Sequence, residues 1–361
     1  MRRGGRSAAR PPTLGTMPFT ITANDLPLIS AGAAFCGSGG GGSPRHVELM
    51  LGRSFSGSAT AFLPTELDPD TPCFAPAFAG STMLLEERLP GLDSFGPLIE
   101  AAERWIGRRL DAVCSGEGGG TNALTPFLFS EDRIIIDADF SGRAVPTLDR
   151  SSLFLDRVPG LFTVCDTGAN GISLVRSDRA EDVDRLMRAS MIQAGGVGNI
   201  LVAGFTAGDL VAHAIHGHLR RSLEIGTALI ETGSGALEEL ASRTGAELIG
   251  HGRVVGISQD RADPHVHTTE IAGVRGEVLR LVARSEYLAV LADGVPVAAA
   301  PDFIVALDER SRELVEVTEL RMNRHVAILT LPADEWWHRN PERARRVAPS
   351  SYGLHGLEPS S

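Results

Sequence analysis

The sequence predicts an α/β N-terminal domain with a mainly parallel sheet and a C-terminal α+β domain that ends in a small β sandwich or barrel. Two observations support this prediction. Residues 111–149 read as a short apolar strand, a glycine loop, a short apolar helix, a buried strand and an acidic loop, which is typical of parallel sheets. From Glu247 onwards, short β-branched segments recur at regular spacing, and Ala292-Asp293-Gly294 is a hairpin signal between two of them.

The same patterns give an expected domain organisation. We expect a disordered extension over residues 1–16, an N-terminal domain over 17–170, a C-terminal domain over 171–340 (helical over 179–246, β-rich over 247–332) and an irregular tail over 341–361. The extension is rich in arginine and lacks the apolar run of about 7–15 residues that a secretory signal needs.

Composition excludes several classes of function. Of the 361 residues, 43% are hydrophobic and 22% charged, as in a globular protein with a sizeable core. The net charge of −11 argues against a nucleic-acid or anionic-membrane surface, and no apolar run approaches the roughly 18 residues of a membrane span. All 34 basic residues are arginine, so a lysine Schiff base, and with it PLP, is excluded. The four cysteines are widely spaced, which indicates reduced thiols in a cytoplasmic protein.

Capping residues and apolar spacing predict the helices. Asn24 and Asp25 precede the first helix, Ser43 and Pro44 the second, and Asp93 the third. The predicted helices end near Phe35, Leu51 and Arg109, and two more cover residues 179–191 and 207–231.

Two acidic loops make the candidate site. Glu117 follows one predicted strand, and Asp137 and Asp139 follow the next. Because the carboxyl ends of parallel strands meet at one edge of a sheet, we expect these three carboxylates to converge with the amide of Asn122. The alternative is that Asp137 and Asp139 cap a following turn and Glu117 is solvated.

The first glycine loop, residues 37–44, contains Gly39, Gly40, Gly41 and Gly42. Its glycines formally match GxGxxG, but a dinucleotide site needs a strand before the loop, and here a helix precedes it. We therefore expect no NAD. The glycines let backbone N–H groups approach a ligand or another chain segment, and a following helix N-terminus favours an anion.

Metal evidence is confined to a few side chains. His213 and His216 would share one face of the helix predicted over 207–231, while His218 would point elsewhere. Asp137 and Asp139 are the other candidate ligands for a divalent metal, whose presence the sequence leaves unknown. The alternative is that these histidines are solvated or cap a helix that is broken at Gly217.

Five blocks in order along the chain resemble one family, the S-methyl thiohydantoin desulfurase group, which is associated with hydantoinase and oxoprolinase systems. The blocks are Gly37–Pro44, Glu117–Leu124, Asp137–Pro146, Leu223–Gly226 and Val295–Asp308. The resemblance implies a hydrolase that cleaves a C–S bond at a thiohydantoin ring, or a C–N bond of a related cyclic ureide.

The resemblance also implies roles for matching positions. Glu117, Asp137 and Asp139 would be catalytic, as a general base or as ligands of a water-activating metal. The glycine loop, Asn122 and Arg143 would bind a small-molecule substrate, and the sequence is compatible with a homo-oligomer.

The chain departs from the family pattern at Thr147, where a glutamate is usual, and at His216 and His218, where a proline and a threonine are expected. The departure at Thr147 keeps open a rival function, a non-catalytic subunit or small-molecule-binding partner of a hydantoinase-type enzyme. A nucleotide-binding oxidoreductase is the third alternative.

Overall fold

The structure is a computed structural model that describes residues 18–55, 57–81, 84, 94–233, 235–261 and 263–359. The predicted extension over residues 1–16 and the predicted helix cap Asp93 lie outside the described residues. Among the described residues, each helix is too short or too polar to cross a lipid bilayer.

Nine strands lie in the described residues of the first part of the chain. They are β1 Phe19–Thr22, β2 Ser58–Phe62, β3 Pro72–Gly80, β4 Ala112–Val113, β5 Ile134–Ile136, β6 Ala138–Asp139, β7 Phe162–Asp166, β8 Ile172–Val175 and β9 Val197–Thr206. All except β6 form one sheet in the order β1-β2-β5-β4-β3-β9-β7-β8. Separate apolar cores cover its two faces.

This sheet is mixed, which corrects the prediction of a mainly parallel one. The central pairs β2-β5, β5-β4 and β4-β3 are parallel, as predicted for the stretch that carries the acidic loops. The other four pairs are antiparallel. Strands β7 and β8 are joined by residues 167–171 only, too short for the crossover that parallel strands require. Strands β8 and β9 both follow residue 170, so the sheet extends beyond the predicted end of the N-terminal domain. The domain boundary itself stays a prediction.

Eight helices accompany these strands among the elements whose bounds the structure describes. They are α1 Leu26–Cys36, α2 Arg45–Ser54, α3 Gly96–Ile106, α4 Ser152–Leu155, α5 Ala180–Gln193, α6 Ala207–His213, α7 His218–Thr232 and α8 Leu237–Thr244. The first two confirm the predicted helices at the start of the chain. Helices α1 and α7 cross closely at Gly32 and Gly226, where a Cβ atom on Gly226 would overlap the carbonyl oxygen of Leu28.

The single helix predicted over residues 207–231 is wrong. Ala214 is extended, and β10 (Ile215–His216) pairs antiparallel with β6. Gly217 then turns the chain in the left-handed region, with φ of +81°, and α7 begins. His213 and His216 therefore share no helix face. The pairing of β10 with a distant strand outweighs the local helical pattern, because it gives the buried backbone of both segments hydrogen-bond partners.

The C-terminal region confirms the predicted short strands and shows how they assemble. The strands are β11 Glu247–Gln259, β12 His267–Gly273, β13 Val278–Ala283, β14 Tyr287–Ala292, β15 Val295–Ala299, β16 Phe303–Asp308 and β17 His325–Leu331. They form one antiparallel sheet, β15-β14-β13-β12-β11-β17-β16, curled into a half-barrel around its own core. The predicted hairpin turn joins β14 and β15, with Asp293 and Gly294 both at positive φ.

The end of the chain is more ordered than predicted. Helix α9 (Glu335–His338) buries Trp336 and Trp337. The tail expected to be irregular instead forms α10 (Pro341–Val347) and a 3-10 helix at Pro349–Tyr352. Asn340 caps α10 by accepting a hydrogen bond from the Glu342 N–H, and Pro341 suits its first turn.

Candidate functional site

The structure brings the two acidic loops into contact at the carboxyl ends of β4 and β5. The Ser115 N–H donates to the Ala138 carbonyl oxygen at 3.1 Å. Gly118 packs so closely on Asp139 that a Cβ atom there would lie 2.7 Å from Oδ2. The side chains divide into two groups, a buried cluster around Asp137 and Asp139 and a junction group around Glu117.

In the buried cluster, both aspartates accept backbone hydrogen bonds. Asp137 caps α7 from a distance, because its Oδ1 accepts the Leu219 N–H at 2.7 Å. Asp139 Oδ1 accepts the N–H groups of Ser141 at 2.7 Å and Gly142 at 2.5 Å. Asp139 therefore caps its following turn, which was the alternative interpretation of this residue.

His218 completes the buried cluster. The helix predicted over residues 207–231 would have pointed this side chain away from His213 and His216, so the sequence did not predict its position here. Its Nε2 lies 2.8 Å from Ser115 Oγ, and its Nδ1 lies 3.4 Å from Asp137 Oδ1 and 3.7 Å from Asp139 Oδ2. All four residues are buried. Among the described residues, His218 Nδ1 and Asp139 Oδ2 have no hydrogen-bond partner.

The hydrogen bonds determine where the protons of this cluster lie. The Ser115 hydroxyl donates to the Ala123 carbonyl oxygen at 3.0 Å, so His218 Nε2–H must be the donor to Ser115 Oγ. Nδ1 is then a bare lone pair. Burial lowers the pKa of His218 to about 3 and raises the pKa of Asp139 to about 7 and of Asp137 to about 6. A proton on Asp139 facing Nδ1 relieves the repulsion between two lone pairs.

The order Ser115–His218–Asp139 resembles a nucleophilic triad, but the local geometry argues against that role. Ser115 is fully buried, and its hydroxyl hydrogen points at a backbone carbonyl rather than at the imidazole. A triad requires the serine oxygen to reach a substrate carbon and to give its proton to the histidine. We assign no nucleophile here.

Glu117 belongs to the junction group and is half-buried. Its Oε1 accepts the Val145 N–H at 3.1 Å, and its Oε2 accepts the Asn122 side-chain N–H at 2.9 Å. Burial raises the pKa of Glu117 to about 7, against the opposing effect of these two donors. Asn122 also bonds to the N–H and carbonyl of Phe78 in β3, so the amide fixes the Glu117 carboxylate in place.

Arg143 connects the two parts of the molecule. Its guanidinium is buried and donates to the carbonyl oxygens of Pro301 at 2.7 Å, Asp302 at 3.0 Å and Tyr287 at 3.4 Å. These three acceptors belong to the C-terminal sheet or the loop after β15. In this conformation the predicted substrate-binding arginine therefore holds that sheet against the acidic loops.

The glycine loop lies in the same junction. Ser38 O accepts the Tyr287 N–H at 2.8 Å, and a Cβ atom on Gly39 would overlap the Tyr287 ring. A Cβ atom on Gly40 would lie 2.9 Å from Glu286 Cβ. The absence of side chains thus allows another chain segment to approach, one of the two uses expected for these glycines.

A pocket of about 280 Å³ lies beside this loop, next to the start of α2. Gly39, Gly40 and Gly42 line it, together with Arg45, His46 and Glu316. Glu117, Asp137 and Asp139 are not among its lining residues. A molecule held there would contact the glycine loop and not the three carboxylates.

The weak metal candidates do not assemble. His213 Nδ1 lies 3.0 Å from Asp156 Oδ2, and His216 Nε2 lies 2.9 Å from the Leu210 carbonyl oxygen. Within the part of the chain that the structure describes, no group of three or more His, Cys, Asp or Glu side chains is arranged to hold a metal ion.

Glu286, a residue of the junction, was not predicted from the sequence either. Glu286 follows β13, is only 3% exposed, and its charge interacts with those of Arg143 and Glu117. A glutamate in a short link between two strands gives no sequence signal of burial. His218 gave only a weak sequence signal of burial, which is that it directly follows the glycine that interrupts a helical pattern.

Comparisons with known proteins cover nearly the whole chain. Residues 24–177 match the S-Me-THD-like N-terminal domain, and residues 177–359 match the S-Me-THD-like C-terminal domain. A crystal structure of a protein from Chromobacterium violaceum superposes with a TM-score of 0.76 at 20% identity, covering 95% of this chain and 99% of that one. That likeness shows the fold alone. No curated protein matches the sequence significantly.

Proposed function

The chain belongs to the S-Me-THD-like family, and on that basis we propose that it is a hydrolase acting on a thiohydantoin or a related cyclic ureide or amide. The observation that carries the proposal is the state of Glu117. This carboxylate sits at the junction of the two regions, is held by two hydrogen-bond donors, and has its pKa raised to about 7. A carboxylate with a pKa near the working pH suits general acid–base catalysis.

In the proposed reaction, Glu117 takes a proton from water as the water oxygen adds to C2 of the ring. The C2–S bond then breaks and the sulfur leaves as a thiol, so that of the two water hydrogens one is finally balanced by the thiol S–H and the other by the ring N–H. Asp137 and Asp139 act as positioning residues that fix the start of α7 and the acidic turn, respectively. The glycine loop and Arg143 shape the junction that receives the ring. The buried, widely spaced cysteines support a cytoplasmic location.

The test measures thiol release from S-methyl thiohydantoin and ring opening of hydantoin by the full chain. Glu117→Gln keeps size and shape but removes the base, and we expect it to lower kcat/KM by about 100-fold or more. Asp139→Asn is measured in parallel. Wild-type rates in both variants would rule out these carboxylates as catalytic groups.

Thr147 supports the rival function, a non-catalytic subunit of a hydantoinase-type enzyme. It stands where the family usually has an acid, and within the described residues its buried hydroxyl has no hydrogen-bond partner. A purified chain that turns over neither substrate alone, but does so when mixed with such an enzyme, would favour the subunit function.

A further inference from the structure

We propose that Glu286 is the second acid–base group of the site and pairs with Glu117 across the junction, acting as the general acid that protonates the leaving sulfur. The inference rests on the proposed hydrolase function and adds to it a catalytic residue from the C-terminal sheet. It replaces the expectation that Asp137 or Asp139 is the partner of Glu117.

The backbone contacts place Glu286 at the junction. Gly40 lies directly against it, since a Cβ atom on Gly40 would be 2.9 Å from Glu286 Cβ. The next glycine, Gly41, packs on Ala144, where the corresponding distance is 3.0 Å. Ala144 in turn precedes Val145, whose N–H holds the Glu117 carboxylate. The glycine loop therefore packs against Glu286 on one side and against the segment that binds Glu117 on the other.

The Glu286 side chain is almost completely buried. It is 3% exposed, and none of the described residues donates a hydrogen bond to its carboxylate. Its charge interacts with those of Arg143, Glu117, Arg150 and Arg284. The Tyr352 ring lies 4.0 Å from the Arg150 guanidinium carbon.

An unpaired buried carboxyl group has a clear protonation preference. Two donors favour the ionised form of Glu117, whereas no donor favours the ionised form of Glu286. Burial is the main reason that the pKa of Glu286 is raised to about 7; Arg143 acts against this rise, and the nearby Glu117 adds to it. Glu117 therefore suits the base, and Glu286 suits the acid.

The paired reaction balances. One water proton passes to Glu117 as the oxygen adds to C2, and the proton of Glu286 passes to the sulfur as the C2–S bond breaks. The second water proton moves from the added hydroxyl to the ring nitrogen as the carbonyl forms. The ring gains a carbonyl oxygen and a ring N–H, and the thiol leaves. The two glutamates have then exchanged protonation states, which proton transfer through water resets. No oxidant or reductant is required.

The experiment compares two leaving groups in wild type, Glu286→Gln and the matched control Glu270→Gln. Glu270 lies on β12, is half-exposed and pairs with Arg280 of the neighbouring strand β13. The substrates are the S-methyl and S-phenyl derivatives of 2-thiohydantoin. Because an aryl thiolate leaves without protonation, loss of a general acid should affect the S-methyl compound far more.

We expect Glu286→Gln to lower kcat/KM by about 100-fold on the S-methyl compound and by less than about 5-fold on the S-phenyl compound. Its pH profile should lose the alkaline limb, since that limb reports the acid. Equal losses on both compounds, or an unchanged pH profile, would overturn the inference while leaving the hydrolase function intact.

Two further outcomes keep the test decisive. If Glu286→Gln does not fold, Glu286→Asp replaces it and should retain the alkaline limb with a lower rate on the S-methyl compound only. If wild type releases thiol from neither compound, the proposed function itself fails, and this inference fails with it.

Discussion

Arg143 offers the sharpest test of how the two regions are held together. Its guanidinium donates to three backbone carbonyl oxygens of the C-terminal region, those of Pro301, Asp302 and Tyr287, and its Nε donates to Ala144 O. Replacing it by lysine retains the charge but offers one compact ammonium in place of a planar fork. At least two buried carbonyl groups would lose their donor.

Leaving a buried hydrogen-bonding group without a partner costs about 1–3 kcal/mol. For two such groups we expect Arg143→Lys to lower the free energy of unfolding by roughly 2–6 kcal/mol, a large share of the roughly 5–15 kcal/mol of a typical domain. Urea unfolding followed by tryptophan fluorescence measures it, because Trp337 donates to Ser141 O beside the acidic turn and reports on that junction.

The matched control is Arg253→Lys, which affects an exposed arginine with a single side-chain bond to Asn323. We expect that change to stay within about 0.5 kcal/mol. A loss below 1 kcal/mol for Arg143→Lys, together with a raised KM, would show that the guanidinium serves the substrate rather than the junction. That result would refute the structural interpretation.

Three further predictions follow from burial and packing. Gly39 has a φ of +76° and lies against the Tyr287 ring, so Gly39→Ala should destabilise the protein by at least about 2 kcal/mol in thermal unfolding. The control Gly52→Ala has open space around it in α2 and should be neutral or stabilising by up to about 1 kcal/mol. Folding raises the pKa of Asp139 to about 7, so its contribution to stability is present at acidic pH and is lost as the pH rises through about 7. The unfolding free energy of wild type should therefore fall between pH 5 and 8, and in Asp139→Asn this fall should be smaller by roughly 3 kcal/mol. A steeper fall in the variant would contradict the protonation assigned to the cluster. All four cysteines are buried and burial raises the pKa of each thiol, so their reaction with Ellman's reagent at pH 8 should be roughly 100-fold slower in native than in urea-unfolded protein; one fast native thiol would show that the fold opens.

Local patterns predicted much of this fold. The short C-terminal strands lie within the region predicted to be β-rich, residues 247–332, because alternation and turn residues are properties of neighbouring positions. The contact of the two acidic loops also followed from sequence, since strands β4 and β5 flank one glycine loop and run parallel. Family membership came from the ordered set of motifs and not from any one of them.

The sequence by itself determined the elements, the two acidic loops, the glycine loop and the family. Only the tertiary structure decided which side chains share a site. It broke one predicted helix to pair β10 with β6, and so carried His218 into the core beside Asp137. It also brought Glu286 to the junction, through contacts between residues more than 200 positions apart. Such contacts depend on burial and backbone pairing between distant segments, and no pattern of neighbouring residues records them.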